Sequence, residues 1–146
     1  MMTQVHYSAP FLPIHWDETN RCVWMEWKQF VKGKEFREGL DEGLALLRDK
    51  AATRWLADLR NLSALDVPDK EWSSLDWFPR AVAAGLRRMA IVLPGRIIPK
   101  MSVGDVMKKA DLRDVEVEYF ISLDDAREWL RKPIQPPSIS HSEAEA

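Results

Sequence analysis

Asp58, Arg60, Asn61 and Ser63 fall close together where an apolar segment gives way to a polar one. A carboxylate, a guanidinium, an amide and a hydroxyl so close together can hold an anion or a partner's polar groups. The N–H groups of a helix starting just beyond would add to that site. The same four residues also suit a purely local role, in which Asp58 and Arg60 pair or bond the loop backbone and Asn61 and Ser63 shape a turn. Ser63 has no histidine near it in sequence, so only spatial approach of His6 or His15 would make it a nucleophile. His6, His15 and His141 are widely dispersed, and Cys22 is the only cysteine. That spacing fits neither a zinc site nor an internal disulfide, and no metal or cofactor is expected. The chain holds no G-x-G-x-x-G, Walker or G-x-S-x-G string, which removes the ready nucleotide-binding and hydrolase readings, and no enzymatic activity is expected.

Trp72, Trp77 and Arg80 follow, and arginine and tryptophan are the residue types that dominate binding interfaces. Trp72 and Trp77 are five apart, so on a helix they do not share a face. Trp72 belongs to the apolar stripe, and Trp77, beside Phe78 and Pro79, is the better candidate of the two for an exposed contact, although tryptophan is mostly buried and core packing is the commoner outcome.

These residues sit in a chain of 146 with the balance of an ordinary globular domain, 46% hydrophobic and 30% charged. A single domain of this length buries roughly two thirds of the surface its unfolded form exposes. Lysine and arginine number 21 against 23 aspartates and glutamates, giving a net charge of -2 with no basic stripe, so no nucleic-acid partner is expected. No stretch approaches the roughly 20 apolar residues of a membrane span. Met1 to Pro10 lacks the pattern of a signal peptide, and a reducing cytoplasm is the expected location.

The elements that position the candidates are legible as patterns. Val5–Ser8 and Phe11–Trp16 read as extended pieces, and a turn at Asp17–Asn20 leads to a strand over Arg21–Trp27, forming a hairpin. Phe36, Leu40, Leu44 and Leu47 line one face of a helix over Lys34–Lys50, and Gly39 and Gly43 beside that face predict close approach to a neighbour. Arg54–Leu59 is a strand. A helix starting near Pro68 is interrupted at Pro79, predicting a kink or two consecutive helices with Pro79 opening the second. Met89–Leu93 is a continuous apolar run, the mark of a strand buried on both faces. Ser102 with Asp105 caps a further helix, Val115–Phe120 is a strand with one wet face, and Ser122 with Asp125 caps a last helix through Leu130. The predicted fold is α/β: a mixed, mostly parallel sheet of about five strands with an N-terminal antiparallel hairpin and four or five helices. It fills residues 1–132, with 133–146 a flexible tail.

The strings W-L-A-D-L-R-N (Trp55 to Asn61), W-F-P-R-A (Trp77 to Ala81), A-G-L-R-R-M-A-I-V (Ala84 to Val92) and A-R-E-W-L (Ala126 to Leu130) resemble the STAS-like proteins. The similarity is to the SpoIIAA-like branch of small bacterial STAS/SEC14-type domains, over roughly residues 5 to 132. The resemblance implies helices packed on a sheet and a non-enzymatic regulatory role through a protein partner. It also implies a phosphorylated serine near the helix that follows the strand ending at Asp58, with Ser63 nearest by position. Leu62-Ser63 stands here where the family pattern has Asp-Ser. Lipid-carrier-like relatives supply the alternative of a small apolar ligand in a tryptophan-lined cavity, and self-association is left open.

Overall fold

The computed structural model describes residues 3–7, 12–62, 66–94 and 115–133. Ser63, the helix expected from Ser102 and the tail beyond Pro133 lie outside these residues. The described chain builds one sheet in the order of the sequence: β1 (Thr3–Tyr7), β2 (Ile14–Asp17), β3 (Cys22–Glu26), β4 (Arg54–Asp58), β5 (Arg88–Val92) and β6 (Glu116–Phe120). Six strands form rather than about five, because both N-terminal extended pieces join the sheet. Only β2 runs against the others, antiparallel to β1 and β3, and the pairs from β3 to β6 are all parallel.

Each parallel step needs a crossover long enough to return the chain to the same end of the sheet. α1 (Lys34–Asp49) supplies the first, between β3 and β4. The second, between β4 and β5, is a rod of α2 (Val67–Trp72), a π-helical turn (Ser73–Trp77) and α3 (Phe78–Ala83). α4 (Leu123–Arg131) follows β6, with Ser122 capping it by accepting the Asp125 N–H at 3.2 Å as the sequence pattern anticipates.

The expected interruption at Pro79 takes the form of that π turn. Proline has no N–H to continue the α-helical ladder, and the backbone widens ahead of it so that the Phe78 N–H donates to Ser73 O, five residues back. Pro79 then sits in the first turn of α3. The rod keeps going, but the wide turn resets which residues face the sheet.

Alternation along the strands sends two sets of side chains to opposite faces. The larger set, with Trp16, Val23, Met25, Trp55, Met89 and Ile91, meets the apolar faces of α1 and the rod. The smaller set, Cys22, Leu56, Ala90 and Val92, meets Ala126 and Leu130 of α4. β5 lies between β4 and β6 and every residue in it is buried, as its apolar run predicts. β6, at the edge, is largely exposed.

Gly39 and Gly43 do what their spacing predicts. A Cβ at Gly43 would stand 2.5 Å from Trp55 Cη2 and 2.7 Å from Met25 Sδ, and one at Gly39 would meet Leu12. Missing side chains on α1 therefore let the helix settle directly onto the rings of the sheet. Gly43→Ala gains up to about 1 kcal/mol of helix propensity but forces the rigid Trp55 ring to move, a strain of about 1–3 kcal/mol. We expect a net loss of stability in urea unfolding; a variant as stable as the parent would show that the packing there is loose.

Candidate functional site

β4 ends at Asp58, whose carboxylate is 1% exposed and fully engaged. Its Oδ1 accepts the Arg60 backbone N–H at 3.2 Å and Arg60 Nε at 2.9 Å, while Oδ2 accepts Arg60 Nη2 at 2.7 Å. Trp24 Nε1, from the neighbouring β3, donates to the same Oδ2 at 3.4 Å. Hydrogen bonding to Asp58 pushes the Arg60 guanidinium further up from its ordinary value, so it stays a cation. The next residues turn, with the Leu62 N–H donating to Leu59 O at 3.1 Å and Asn61 exposed at the bend. The local role of Asp58 and Arg60 is thus the one realised. They latch the exit of β4, with Arg60 and Asn61 both exposed.

Trp72 and Arg80 come together elsewhere, on the outer seam between α1 and the rod. The Trp72 ring is half-buried between two guanidiniums, Arg37 at 5.3 Å and Arg80 at 5.6 Å from its centroid. Each arginine is held by carboxylates. Arg37 Nε donates to Asp69 Oδ1 at 3.1 Å, and Arg80 Nη2 donates to Asp41 at 3.1 Å and Asp76 at 2.9 Å. The buried Asp69 also accepts the Gly33 N–H at 2.7 Å, which fastens α2 to the start of α1. The result is a half-buried aromatic ring packed against two carboxylate-paired cations, while Val67 and Leu75 are exposed elsewhere on the rod.

Trp77 is not the exposed contact that its neighbours Phe78 and Pro79 suggested. It is 3% exposed, edge-on to Trp55 with centroids 5.0 Å apart, and its Nε1 donates to Leu40 O at 3.0 Å. The π turn causes the exchange: one extra residue in the turn rotates Trp77 onto the sheet while Trp72 is left at the rim. Of the seven candidates, Asp58 with Arg60 and Trp72 with Arg80 form two pairs seated on different elements. Asn61 is exposed at its bend, Trp77 belongs to the core, and Ser63 lies outside the described residues.

Two polar clusters carried no signal in the linear sequence. Asp17, 0% exposed, accepts Arg127 Nη2 at 3.0 Å and Asn20 Nδ2 at 2.7 Å, and Arg131 Nε reaches Asn20 Oδ1 at 2.9 Å. This network ties the β2–β3 turn to α4 across more than 100 residues of chain, and only the fold brings it together. His15 meets Glu26 at 3.0 Å across the β2–β3 pair and lies tilted against Trp24 with centroids 4.4 Å apart. Cross-strand register places these groups, and register was not readable from residue types. Among the described residues, no three His, Cys, Asp or Glu side chains stand where they could share a metal ion, and no helix is long and apolar enough to cross a membrane.

The family model described as SpoIIAA-like matches residues 22–131, from the first residue of β3 to the last of α4. The match begins later than the resemblance did, leaving β1 and β2 outside it. No curated protein and no solved structure matches the chain.

Two measurements check this geometry. Trp77→Ala removes a packed ring and a buried hydrogen bond and should cost about 3–5 kcal/mol in denaturant melts. Trp72→Ala, at the rim, should cost about 1.5 kcal/mol or less; equal losses would mean that both rings are core. Cys22 is buried at the start of β3, where burial first and the nearby Asp17 carboxylate second push its thiol well up from the ordinary range. It should therefore resist a maleimide at neutral pH in the native protein and react promptly once unfolded, since only the thiolate attacks. Rapid native labelling would place it in an accessible site.

Proposed function

The chain belongs to the SpoIIAA-like family, and from that premise we propose that it is a non-enzymatic regulatory module of the STAS type that binds a protein partner. The contact surface is the seam carrying Trp72 and Arg80, with the bend at Arg60 and Asn61 as a second point of contact. One observation carries this reading: Trp72 stands half-exposed at the seam, with the Arg37 and Arg80 guanidiniums packed over its ring. Tryptophan and arginine are the side chains that most often supply a large share of binding energy, and a pre-ordered ring loses little entropy when it is covered.

The reading in which tryptophans line a cavity for a lipid or other apolar ligand finds less support. Trp16, Trp27, Trp55 and Trp77 are buried within the core cluster, and the Trp55 ring lies against the backbone of α1 at Gly43. The reading sets the module in the cytoplasm, where its one thiol stays reduced.

The test is affinity capture from native lysate with quantitative mass spectrometry of proteins, run alongside extraction and analysis of bound lipids. Trp72→Ala and Arg80→Ala, both confirmed as folded, are compared with the unmodified chain. We expect a protein retained by the unmodified chain to fall at least about tenfold with Trp72→Ala, which corresponds to a contact of about 1.4 kcal/mol. Undiminished capture by both variants would move the site elsewhere, and stoichiometric lipid would favour the cavity.

A further inference from the structure

The parallel strands β3 to β6 all start at one end of the sheet, where α1 and α4 finish. Arg21, Lys50, Arg54, Arg88, Arg131 and Lys132 are scattered through the sequence, and the fold gathers them at that end. Arg21 Nη2 donates to Lys50 O at 3.2 Å, and both cations lie over the Trp16 ring, at 5.1 and 5.4 Å from its centroid. Arg54, in register with Cys22 on one side and Arg88 on the other, donates to Leu130 O and Lys132 O. Arg88 donates to Lys132 O at 2.9 Å, and Arg131 reaches Asn20, the neighbour of Arg21, at 2.9 Å.

Carboxylates meet only two of these six cations: Glu18 pairs with Arg21 at 3.3 Å and Glu116 with Arg88 at 2.6 Å. Among the described residues, none pairs with the other four. Burial first and the neighbouring Arg88 second hold the Arg54 guanidinium below its ordinary value, as expected of a cation set beside another. Flanking residues do not cancel the surplus, since Asp49 and Glu128 are matched in number by Arg48 and Arg87, and the buried Asp17 by Arg127. Six cations less two carboxylates leave four positive charges here, so the rest of a chain whose net charge is -2 carries -6. The carbonyl ends of α1 and α4 return roughly half a negative charge each, and an excess of about three remains.

An anion is what this end lacks, and the surroundings select which kind. The exposed large apolar side chains are Phe30, Val67, Leu75, Tyr119 and Ile121, and none stands at the start of a strand or the end of a helix. A lipid surface would therefore find no apolar anchor beside the charges. A nucleic acid needs a row of free donors, yet Arg54 and Arg88 have spent theirs on carbonyls, and the negative remainder of the chain repels a long polyanion. A short acidic segment reaches the cations without approaching that remainder. Donors are free to receive it: Arg131 and Lys132 are exposed, Arg131 uses only Nε, and Lys132 Nζ bonds nothing among the described residues.

We propose that this end of the sheet, around Lys50, Arg131 and Lys132, docks an acidic segment of a partner protein. It lies at the opposite end of α1 from Arg37 and is a surface distinct from the Trp72 seam.

The probes are a fluorescently labelled glutamate–serine peptide and its lysine–serine counterpart, titrated by anisotropy into the full chain. The same titrations are run on Lys50→Gln/Lys132→Gln, on Lys32→Gln/Lys34→Gln, which removes equal charge before and at the start of α1, and on Trp72→Ala, with thermal melts confirming that each is folded. We expect the glutamate peptide to bind and the lysine peptide not to. Lys50→Gln/Lys132→Gln should weaken binding at least about fivefold, the other two variants less than about twofold, and added salt should weaken it throughout. Equal losses in the two double variants would reduce the effect to overall charge and overturn the proposal, as would absent binding or equal binding of both peptides. A loss with Trp72→Ala would move the peptide to the seam and overturn it too. Tighter binding of phosphatidylserine vesicles or of a short DNA duplex, weakened by Lys50→Gln/Lys132→Gln, would assign this end to that polyanion instead.

Discussion

Where a side chain would stand at Gly43, Trp55 Cη2 and Met25 Sδ already occupy the space. That contact sets the distance between α1 and the sheet, and much else is fixed by it. With α1 so close, Leu40 O lies within reach of Trp77 Nε1, and the Trp77 ring fills the angle against Trp55. Trp77 in turn orients the rod through its π turn, and the rod carries Trp72 and Arg80 to the outer seam. A glycine in mid-helix costs about 1 kcal/mol in propensity. Here the cost is offset by burying two indoles in a core where each large ring contributes several kcal/mol.

The opposite face is held differently. α4 meets the sheet over few apolar residues, Ala126 and Leu130 chief among them, and arginines supply the rest of the attachment. Arg127 reaches the buried Asp17, while Arg54 and Arg88 donate to the backbone carbonyls at the end of α4, among them Leu130 O and Trp129 O. Cations at a helix C-terminus complete its unpaired carbonyls and oppose its dipole. Arg88 is nearly buried and is also balanced by Glu116, its register partner on β6, at 2.6 Å. The Arg127–Asp17 ion pair, buried on both sides, adds little net stability over well-packed apolar groups, but breaking it by removing one partner costs about 3–5 kcal/mol. These arginines thus specify one position for α4 more than they strengthen it.

The two pairs of candidate residues differ in what they have left to offer. Asp58 accepts four hydrogen bonds, from the backbone and side chain of Arg60 and from Trp24, and retains no capacity for a ligand. Trp72 stays partly exposed, with Arg37 and Arg80 packed over its ring and their own charges met by carboxylates. In Asp58 the polar chemistry is spent on shape. In Trp72 part of an aromatic ring is left uncovered.

The sequence by itself determined the elements and their layers. Period-two alternation at Cys22–Trp27, helical spacing from Phe36 to Leu47, the apolar run of β5 and the cap at Ser122 are local patterns, and local patterns follow from backbone geometry that neighbouring residues share. Even the closeness of α1 to the sheet was legible, because two glycines a turn apart have few other reasons to be there. The site was legible only in outline. Residue type pointed to Trp72, Trp77 and Arg80 but chose the wrong tryptophan to expose, since a π turn changes the helical phase by a residue and nothing in the periodicity ahead of Pro79 announces where that residue is inserted. Asp17 with Arg127 and Asn20 with Arg131 were invisible for a simpler reason: an ion pair spanning most of the chain exists only once the sheet has brought β2 beside α4, and tertiary structure alone decides that distance.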